Sequence, residues 1–253
     1  MSKTDVMSRG QGYEFLNCLE RAGFTSAMAQ LVINSPNNQI ANELHAWLEK
    51  RLGAEMISWG EAIDAFGDRA LSISIAKGLR IEVPSASFYA TVPLSRADKE
   101  KVSRRGLFIV AMPPISLINL QLASYSSYSF FYEPNRVLYQ DDRFTRTVAR
   151  AGYHLMFPTY PVSDYKTFAE QLSFCSPDMD PPYAVEVAYT AIAWLLVSNQ
   201  VLLTDWVRCA DMGRRQGDNV ALKQTAEGKI IFSFSHSSSR TEAKMACGRY
   251  LHQ

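Results

Sequence analysis

An almost uninterrupted apolar run marks the stretch DPPYAVEVAYTAIAWLLVSNQ, which covers residues 180–200. The exceptions are Glu186 and Thr190, which are four positions apart and therefore share one stripe of a helix. A helix that is apolar almost all round is a buried one, and about 15 apolar residues fall short of the ~20 that span a bilayer. The pattern predicts a buried central helix, capped by Asp180 and with Pro181 in its first turn.

Apolar residues three and four positions apart dominate the beginning of the chain and predict short amphipathic helices over residues 15–19, 25–32 and 40–52. Thr25 is the expected cap of the second helix. A fourth helix is predicted over residues 58–66, because Ser58 and Glu61 have the spacing of a capping box. These helices make up a predicted N-terminal helical region, residues 1–66.

The pattern then changes to strands interleaved with helices. Alternation from Leu71 to Ile75 predicts a half-exposed strand, residues 106–112 form an apolar run typical of a central strand, and residues 152–157 predict another. Helices are predicted over residues 115–123 and 163–174. Strands are predicted over residues 201–209, 219–224, 229–235 and 245–252, with a hairpin turn at Gly228. The predicted fold class is α+β: the helical region is followed by a mixed α/β domain, residues 67–253, with a buried central helix and a C-terminal antiparallel hairpin.

Composition narrows the classes of function. The chain has 253 residues and a net charge of +1, which argues against electrostatic steering of the whole surface toward nucleic acid. The first residues lack the apolar run of a signal peptide, and no stretch predicts a membrane span. The four cysteines have no paired spacing, so we expect reduced thiols in a cytoplasmic protein without a metal site.

Several stretches together carry a resemblance in the order of their elements. They are RGLFIVAM at 105–112, GYHLMFP at 152–158, SDYKTFAEQ at 163–171, the helix at 188–197, VLLTDWVRCA at 201–210, and FTSAMAQLVINSPNNQIANEL near the N-terminus. In this order the chain resembles a family of uncharacterised bacterial proteins. The resemblance implies the same mixed fold. That family has no assigned activity, so it implies no functional residue.

The sequence holds no nucleotide-binding loop, zinc-protease motif or serine-hydrolase motif, and we expect no cofactor. Asp141 and Asp142 are candidates for a cation or acid–base site, although a solvated strand end is the favoured interpretation. His154 lies in an apolar strand and would need a carboxylate or nucleophile nearby to act as a base; a hydrogen-bonded structural histidine is favoured. Cys175 is the best candidate for a reactive thiol, without an evident group to lower its pKa.

An aromatic run includes Tyr125, Tyr128 and Phe131. These side chains are candidates for a stacking platform for single-stranded nucleic acid or for a protein interface, with core packing ranked first. Nucleic acid is the disfavoured partner because the net charge is close to zero.

Two functional hypotheses follow. The first is a non-enzymatic protein-interaction or structural module, in which the short N-terminal helices bind a protein partner. The second is an enzyme or ligand-binding protein whose polar site includes Asp141, Asp142 and His154. The first is preferred, because catalytic motifs are missing.

Overall fold

A computed structural model describes residues 25–36, 39–40, 43, 56–124, 129–132, 143–157, 163–175, 179–213 and 215–251. The chain divides into two compact units, Met1–Ala54 and Glu55–Gln253. In the first unit, helix α1 spans Ser26–Ile33, and the Thr25 hydroxyl accepts a hydrogen bond from the amide of Met28, as predicted. The predicted helices over 15–19 and 40–52 lie wholly or largely outside the described residues.

The second unit alternates helices and strands, which confirms the α+β class. Its described helices are α2 (Trp59–Phe66), α3 (Ser74–Gly78), α4 (Arg96–Arg104), α5 (Leu117–Ser124), α6 (Arg143–Arg146), α7 (Phe168–Leu172) and α8 (Ala184–Ser198). Its described strands are β1 (Met56–Ser58), β2 (Ala70–Leu71), β3 (Thr91–Ser95), β4 (Phe108–Met112), β5 (Gly152–Phe157), β6 (Val207–Met212), β7 (Asp218–Gln224), β8 (Ile230–His236), β9 (Lys244–Met245) and β10 (Cys247–Leu251).

The described strands form three sheets. A mixed sheet has the order β10-β5-β4-β2, in which the β4–β2 pair is parallel and the other pairs are antiparallel. A second sheet has the order β8-β7-β6-β9 and includes the predicted hairpin, with Gly228 at a positive φ of 79° in its turn. Strands β1 and β3 make a two-stranded sheet.

Helix α8 is the buried centre of this unit, as its apolar sequence predicts. Its side chains share one hydrophobic cluster with β4 of the mixed sheet and with β6 and β7 of the second sheet. The opposite face of the mixed sheet packs on α2, β1 and β3 in another cluster. Because β4 is covered on both faces, all five of its residues are buried, which explains its unbroken apolar sequence.

Four predicted elements are wrong in type or extent. The strand expected over 201–209 begins only at Val207, because the amides of Leu202 and Leu203 donate to the side chain of Gln224. The strand expected over 245–252 is divided at Ala246 into β9 and β10, which belong to different sheets. The strand expected from Leu71 to Ile75 ends at Leu71, because the Ser72 hydroxyl accepts a hydrogen bond from the amide of Ser74 where α3 begins. The helix expected over 163–174 shortens to α7, because Tyr165 adopts a positive φ of 54° and its amide donates to the carbonyl of Thr241.

The beginning of α8 also differs from the prediction. Asp180 is not its cap: the amide and carbonyl of Asp180 both hydrogen-bond to the backbone of Gly248, at 2.8 Å each. The carbonyl of Pro182 accepts from the amide of Ala210 at 2.9 Å. These tertiary bonds hold residues 180–182 in an extended path between β10 and β6, so the helix begins only at Ala184.

The unit boundary lies before the predicted one. Helix α2, assigned by its sequence to the N-terminal region, buries Ala62 and Phe66 in the hydrophobic cluster of the second unit. Its capping box is present as predicted, with the Ser58 hydroxyl 3.2 Å from the amide of Glu61.

A buried arginine joins β6, β8 and the α7 region. The Arg208 side chain is fully buried, and its five donors are all used. The acceptors are Ser235 Oγ, Gln171 Oε1 and the carbonyls of Lys166, His236 and Ser239. Since the guanidinium is fully hydrogen-bonded inside the protein, we assign it a structural role.

Candidate functional site

Strand β5 places His154 in the interior. Its side chains alternate, so that Tyr153 and Leu155 enter the cluster on the α2 side, whereas Met156 enters the cluster around α8. His154 is on the same face as Met156 and is only 3% exposed. The strand thus directs an imidazole toward the beginning of α8.

Helix α8 supplies a carboxyl group to this histidine. Glu186, in its first turn, is 7% exposed. Its Oε1 lies 3.4 Å from Nδ1 of His154, and its Oε2 accepts a hydrogen bond of 2.8 Å from the amide of Tyr183. A buried acid–histidine pair is therefore held by a strand on one side and a helix terminus on the other.

Both members of the pair favour their neutral forms. Burial lowers the pKa of His154 to about 4 and raises the pKa of Glu186 to about 7. Nε2 of His154 lies 2.8 Å from the carbonyl oxygen of Arg150, which can only accept, so Nε2 carries the proton of the neutral ring. Nδ1 then presents a lone pair to Glu186. Although the distance also fits an ion pair, the burial of both groups favours a protonated carboxyl that donates toward Nδ1.

A second buried carboxyl group lies nearby. Val207, Cys209 and Asp211 are buried residues of β6, and Asp211 accepts a hydrogen bond from the amide of Ala184 at the beginning of α8. Burial raises the pKa of Asp211 to about 6, and its charge contributes to the raised pKa of Glu186. The thiol of Cys209 is buried and free, and burial raises its pKa well above the ordinary value. It is therefore not a thiolate nucleophile.

A cavity of about 420 Å³ borders the pair. Glu186 and His154 line it together with Arg150, whose guanidinium carbon lies 4.1 Å from the centre of the Tyr250 ring. The other walls are largely apolar and include Met156, Pro181, Pro182 and Ala210. Arg249 and Asp180 also line it. A cavity with mainly apolar walls, one acid–histidine pair and two cations against one carboxylate suits a small organic anion.

A neighbouring cavity of about 390 Å³ contains Asp211 and Arg143. Tyr183 and Ala210 line both cavities. Charges of opposite sign line the second cavity, which gives it no clear preference for the charge of a ligand.

The arrangement can exchange protons. A carboxyl group whose pKa is near neutrality can both donate and accept a proton at physiological pH. The Nδ1 lone pair of His154 holds that proton toward the imidazole, and the Nε2–H bond to Arg150 keeps the ring in one orientation. Such a pair supports general acid–base chemistry on a ligand in the cavity.

Of the predicted catalytic candidates, His154 lies at this site, and the carboxylate that it required is Glu186. Asp141 and Asp142 lie outside the described residues. Glu186 is visible in the sequence as an interruption of an apolar helix, but it is not among the predicted site residues. That interruption was the available signal, since a carboxyl group inside a buried helix needs a partner.

The expectation of reduced thiols is wrong for two cysteines. Cys175 forms a disulfide with Cys247, which joins the end of the α7 region to β10. Cys175 is therefore not a free thiol in this structure. A pair separated by 72 positions in sequence shows no recognisable spacing, because the fold brings its members together.

Phe131 lies in the core and not on a surface platform. It is 4% exposed and stacks on Phe232 with ring centres 6.2 Å apart. Core packing, the favoured interpretation, is confirmed for this residue. Tyr125 and Tyr128 lie outside the described residues.

Comparison of the chain with protein-family models, curated proteins and solved structures found no match. Across the described residues, no helix has both the length and the apolar composition needed to cross a membrane. In the same residues, no three His, Cys, Asp or Glu side chains form a group suited to a metal ion. The fold and site thus define an α+β protein with a buried acid–histidine pair beside a cavity.

Proposed function

We propose that this protein binds a small organic anion in the cavity beside α8 and exchanges a proton with it through Glu186. The observation that carries the proposal is the buried Glu186–His154 pair, with Oε1 and Nδ1 3.4 Å apart, at the wall of a cavity that also contains Arg150. Glu186 is the group that meets the ligand. His154 is a positioning residue that orients the carboxyl proton.

The charge balance of the cavity supports an anionic ligand. Two cations, Arg150 and Arg249, and one carboxylate, Asp180, line it, while burial favours the neutral forms of Glu186 and His154, so the cations outnumber the anion. A carboxylate or phosphate group has its natural partner in a guanidinium. The apolar walls suit the carbon body of such a ligand.

The test is calorimetric titration of the full chain with benzoate, phenylacetate and phenyl phosphate at pH 6 and pH 8. An anion beside Glu186 binds best when that carboxyl is protonated, so the affinity should fall as the pH rises through about 7. In E186Q the affinity for benzoate and phenylacetate, which are ionised at both pH values, should no longer depend on pH. A merely structural Glu186 would leave the pH dependence of binding unchanged.

Arginine variants give the matched control. R150Q should weaken binding about fivefold, the effect of losing one exposed ion pair of about 1 kcal/mol. R104Q should bind normally, since Arg104 is an exposed residue of α4 that does not line the cavity. The proposal is wrong if none of the three probes binds to the folded protein, or if R150Q and E186Q bind them as the wild type does.

A protein-interaction role is the second candidate. None of the α1 residues is buried, and Met28, Leu31 and Ile33 are 48%, 65% and 69% exposed. An apolar helix surface of this kind suits a groove on a partner protein. The test is affinity capture from the native cell extract with the wild type, with L31E/I33E and with the control Q30E. The interaction role requires a partner that the wild type and Q30E retain and that L31E/I33E loses.

We also propose, from the sequence alone, that the protein is cytoplasmic and that it belongs to the uncharacterised bacterial family it resembles.

A further inference from the structure

The disulfide adjoins one wall of the cavity, which Gly248 lines. Cys247 is the first residue of β10, and the next residue, Gly248, exchanges two backbone hydrogen bonds of 2.8 Å with Asp180. Cys175 lies five positions before Asp180 in the chain. The disulfide and the hydrogen-bonded pair therefore fasten the approach to α8 onto β10 at two adjacent strand positions.

The two strips of chain that meet at this point are walls of the cavity. Residues 180–183 line it from the α8 side, and residues 248–250 line it from β10. They lie very close together: a Cβ on Gly248 would stand 3.8 Å from Cβ of Pro182 and 2.9 Å from Sδ of Met156. If residues 180–183 separate from residues 248–250, the shape of the cavity changes, and so does the position of Tyr183, whose amide donates a hydrogen bond to Glu186.

We propose that the Cys175–Cys247 disulfide is a redox control of this cavity: the oxidised protein holds the binding-competent shape, and reduction releases it. The inference rests on the proposed function, because it describes the regulation of that same site.

The exchange reaction has a defined direction. A dithiol reductant attacks Sγ of the half-buried Cys175, because Cys247 is only 1% exposed. The S–S bond breaks, a mixed disulfide forms on Cys175, and Cys247 leaves as a thiolate that takes up a proton. The second thiol of the reductant then displaces Cys175 as a thiol. The protein gains two electrons and two protons, and the dithiol becomes a disulfide.

The test compares the oxidised protein, the protein reduced with dithiothreitol, and C175S/C247S by amide hydrogen exchange and by benzoate titration. At labelling times that leave the β7–β8 hairpin protected, the amides of Asp180 and Gly248 should exchange roughly tenfold faster after reduction, a factor that corresponds to about 1.4 kcal/mol of local stability. Benzoate should bind the reduced protein and C175S/C247S at least about tenfold more weakly than the oxidised protein. The reductant should have no further effect on C175S/C247S.

The outcomes separate the two proposals. Redox control is overturned if the amides of Asp180 and Gly248 exchange hydrogen at the same rate in both redox states. It is also overturned if reduction exposes the amides of the β7–β8 hairpin to exchange, because the disulfide would then stabilise the whole fold. Equal benzoate affinity in both states overturns redox control while the proposed function stands. If benzoate, phenylacetate and phenyl phosphate all fail to bind either state and exchange still differs, the proposed function fails, and with it the regulation of binding.

Discussion

Replacing Glu186 with Gln should change how stability depends on pH. Burial raises the pKa of Glu186 from 4.5 to about 7, so its folded-state pKa lies above its unfolded-state value. Below pH 4.5 the carboxyl is protonated in both states, so its ionisation does not change the free energy of unfolding. As the pH rises from 4.5 through about 7, the carboxyl ionises more readily in the unfolded state, and the free energy of unfolding falls. This difference in pKa corresponds to about 3 kcal/mol.

His154 has the opposite dependence. Its pKa falls from 6.5 to about 4, so stability is fully present above pH 6.5 and is lost as the pH falls through about 4. The two slopes oppose each other between pH 4.5 and 6.5, so the contributions of this pair nearly cancel there, whereas the raised pKa of Asp211 removes stability from both proteins as the pH rises through about 6. E186Q keeps the shape of the side chain but cannot ionise, so it lacks the loss of stability that Glu186 causes as the pH rises. The free energy of unfolding of E186Q relative to the wild type should therefore increase by about 3 kcal/mol from pH 4 to pH 8.

The assay is urea denaturation of both proteins at intervals from pH 4 to pH 8, followed by circular dichroism. H154Q is the mirror variant, and relative to the wild type it should lose stability as the pH rises from 4 to 8. E100Q, at an exposed side chain of α4, is the control that should follow the wild type. Parallel profiles for E186Q and the wild type would refute the assignment of a neutral, buried acid–histidine pair.

Two further predictions concern packing around the site. R208M should lower the free energy of unfolding by about 3–5 kcal/mol, because the buried guanidinium gives up five hydrogen bonds and the buried Gln171 side chain loses its donor, whereas the exposed R104M should change it by less than about 0.5 kcal/mol in the same urea assay. An unchanged denaturation midpoint for R208M would contradict its structural role. G248A should cost about 1–3 kcal/mol and weaken benzoate binding, because the added Cβ meets Met156 Sδ at 2.9 Å and the Leu155 carbonyl at 3.2 Å. G78A is the matched control, since a Cβ there meets nothing within 4 Å, and equal thermal stability of the two alanine variants would show that the strips beside Gly248 are not tightly packed.

Local sequence patterns were sufficient to predict those helices and strands in which burial is uniform or strictly periodic along the chain. The apolar stretch around Ala188 predicted the buried helix, the continuous run at Phe108–Met112 predicted a strand covered on both faces, and the spacing of Ser58 and Glu61 predicted the capping box. Each of these features depends on neighbours in the chain or on one property, the burial of apolar surface, that the sequence displays directly.

Other features depend on contacts between distant residues, which the sequence does not display. Asp180 has the character of a helix cap, but its backbone pairs with Gly248, and this bond takes precedence over the local preference. Cys175 and Cys247 appeared to be separate thiols because nothing in their spacing reports that two distant segments meet.

The sequence by itself determined the α+β class, the buried central helix and the presence of two unusual polar residues, His154 and Glu186, within apolar stretches. Only the tertiary structure decided that these two meet. The side-chain alternation of β5 and the first turn of α8 place them 3.4 Å apart, at the wall of a cavity. The physical reason is that burial cost is a local property of each segment, whereas the partner that offsets this cost is chosen by the packing of segments far apart in the chain.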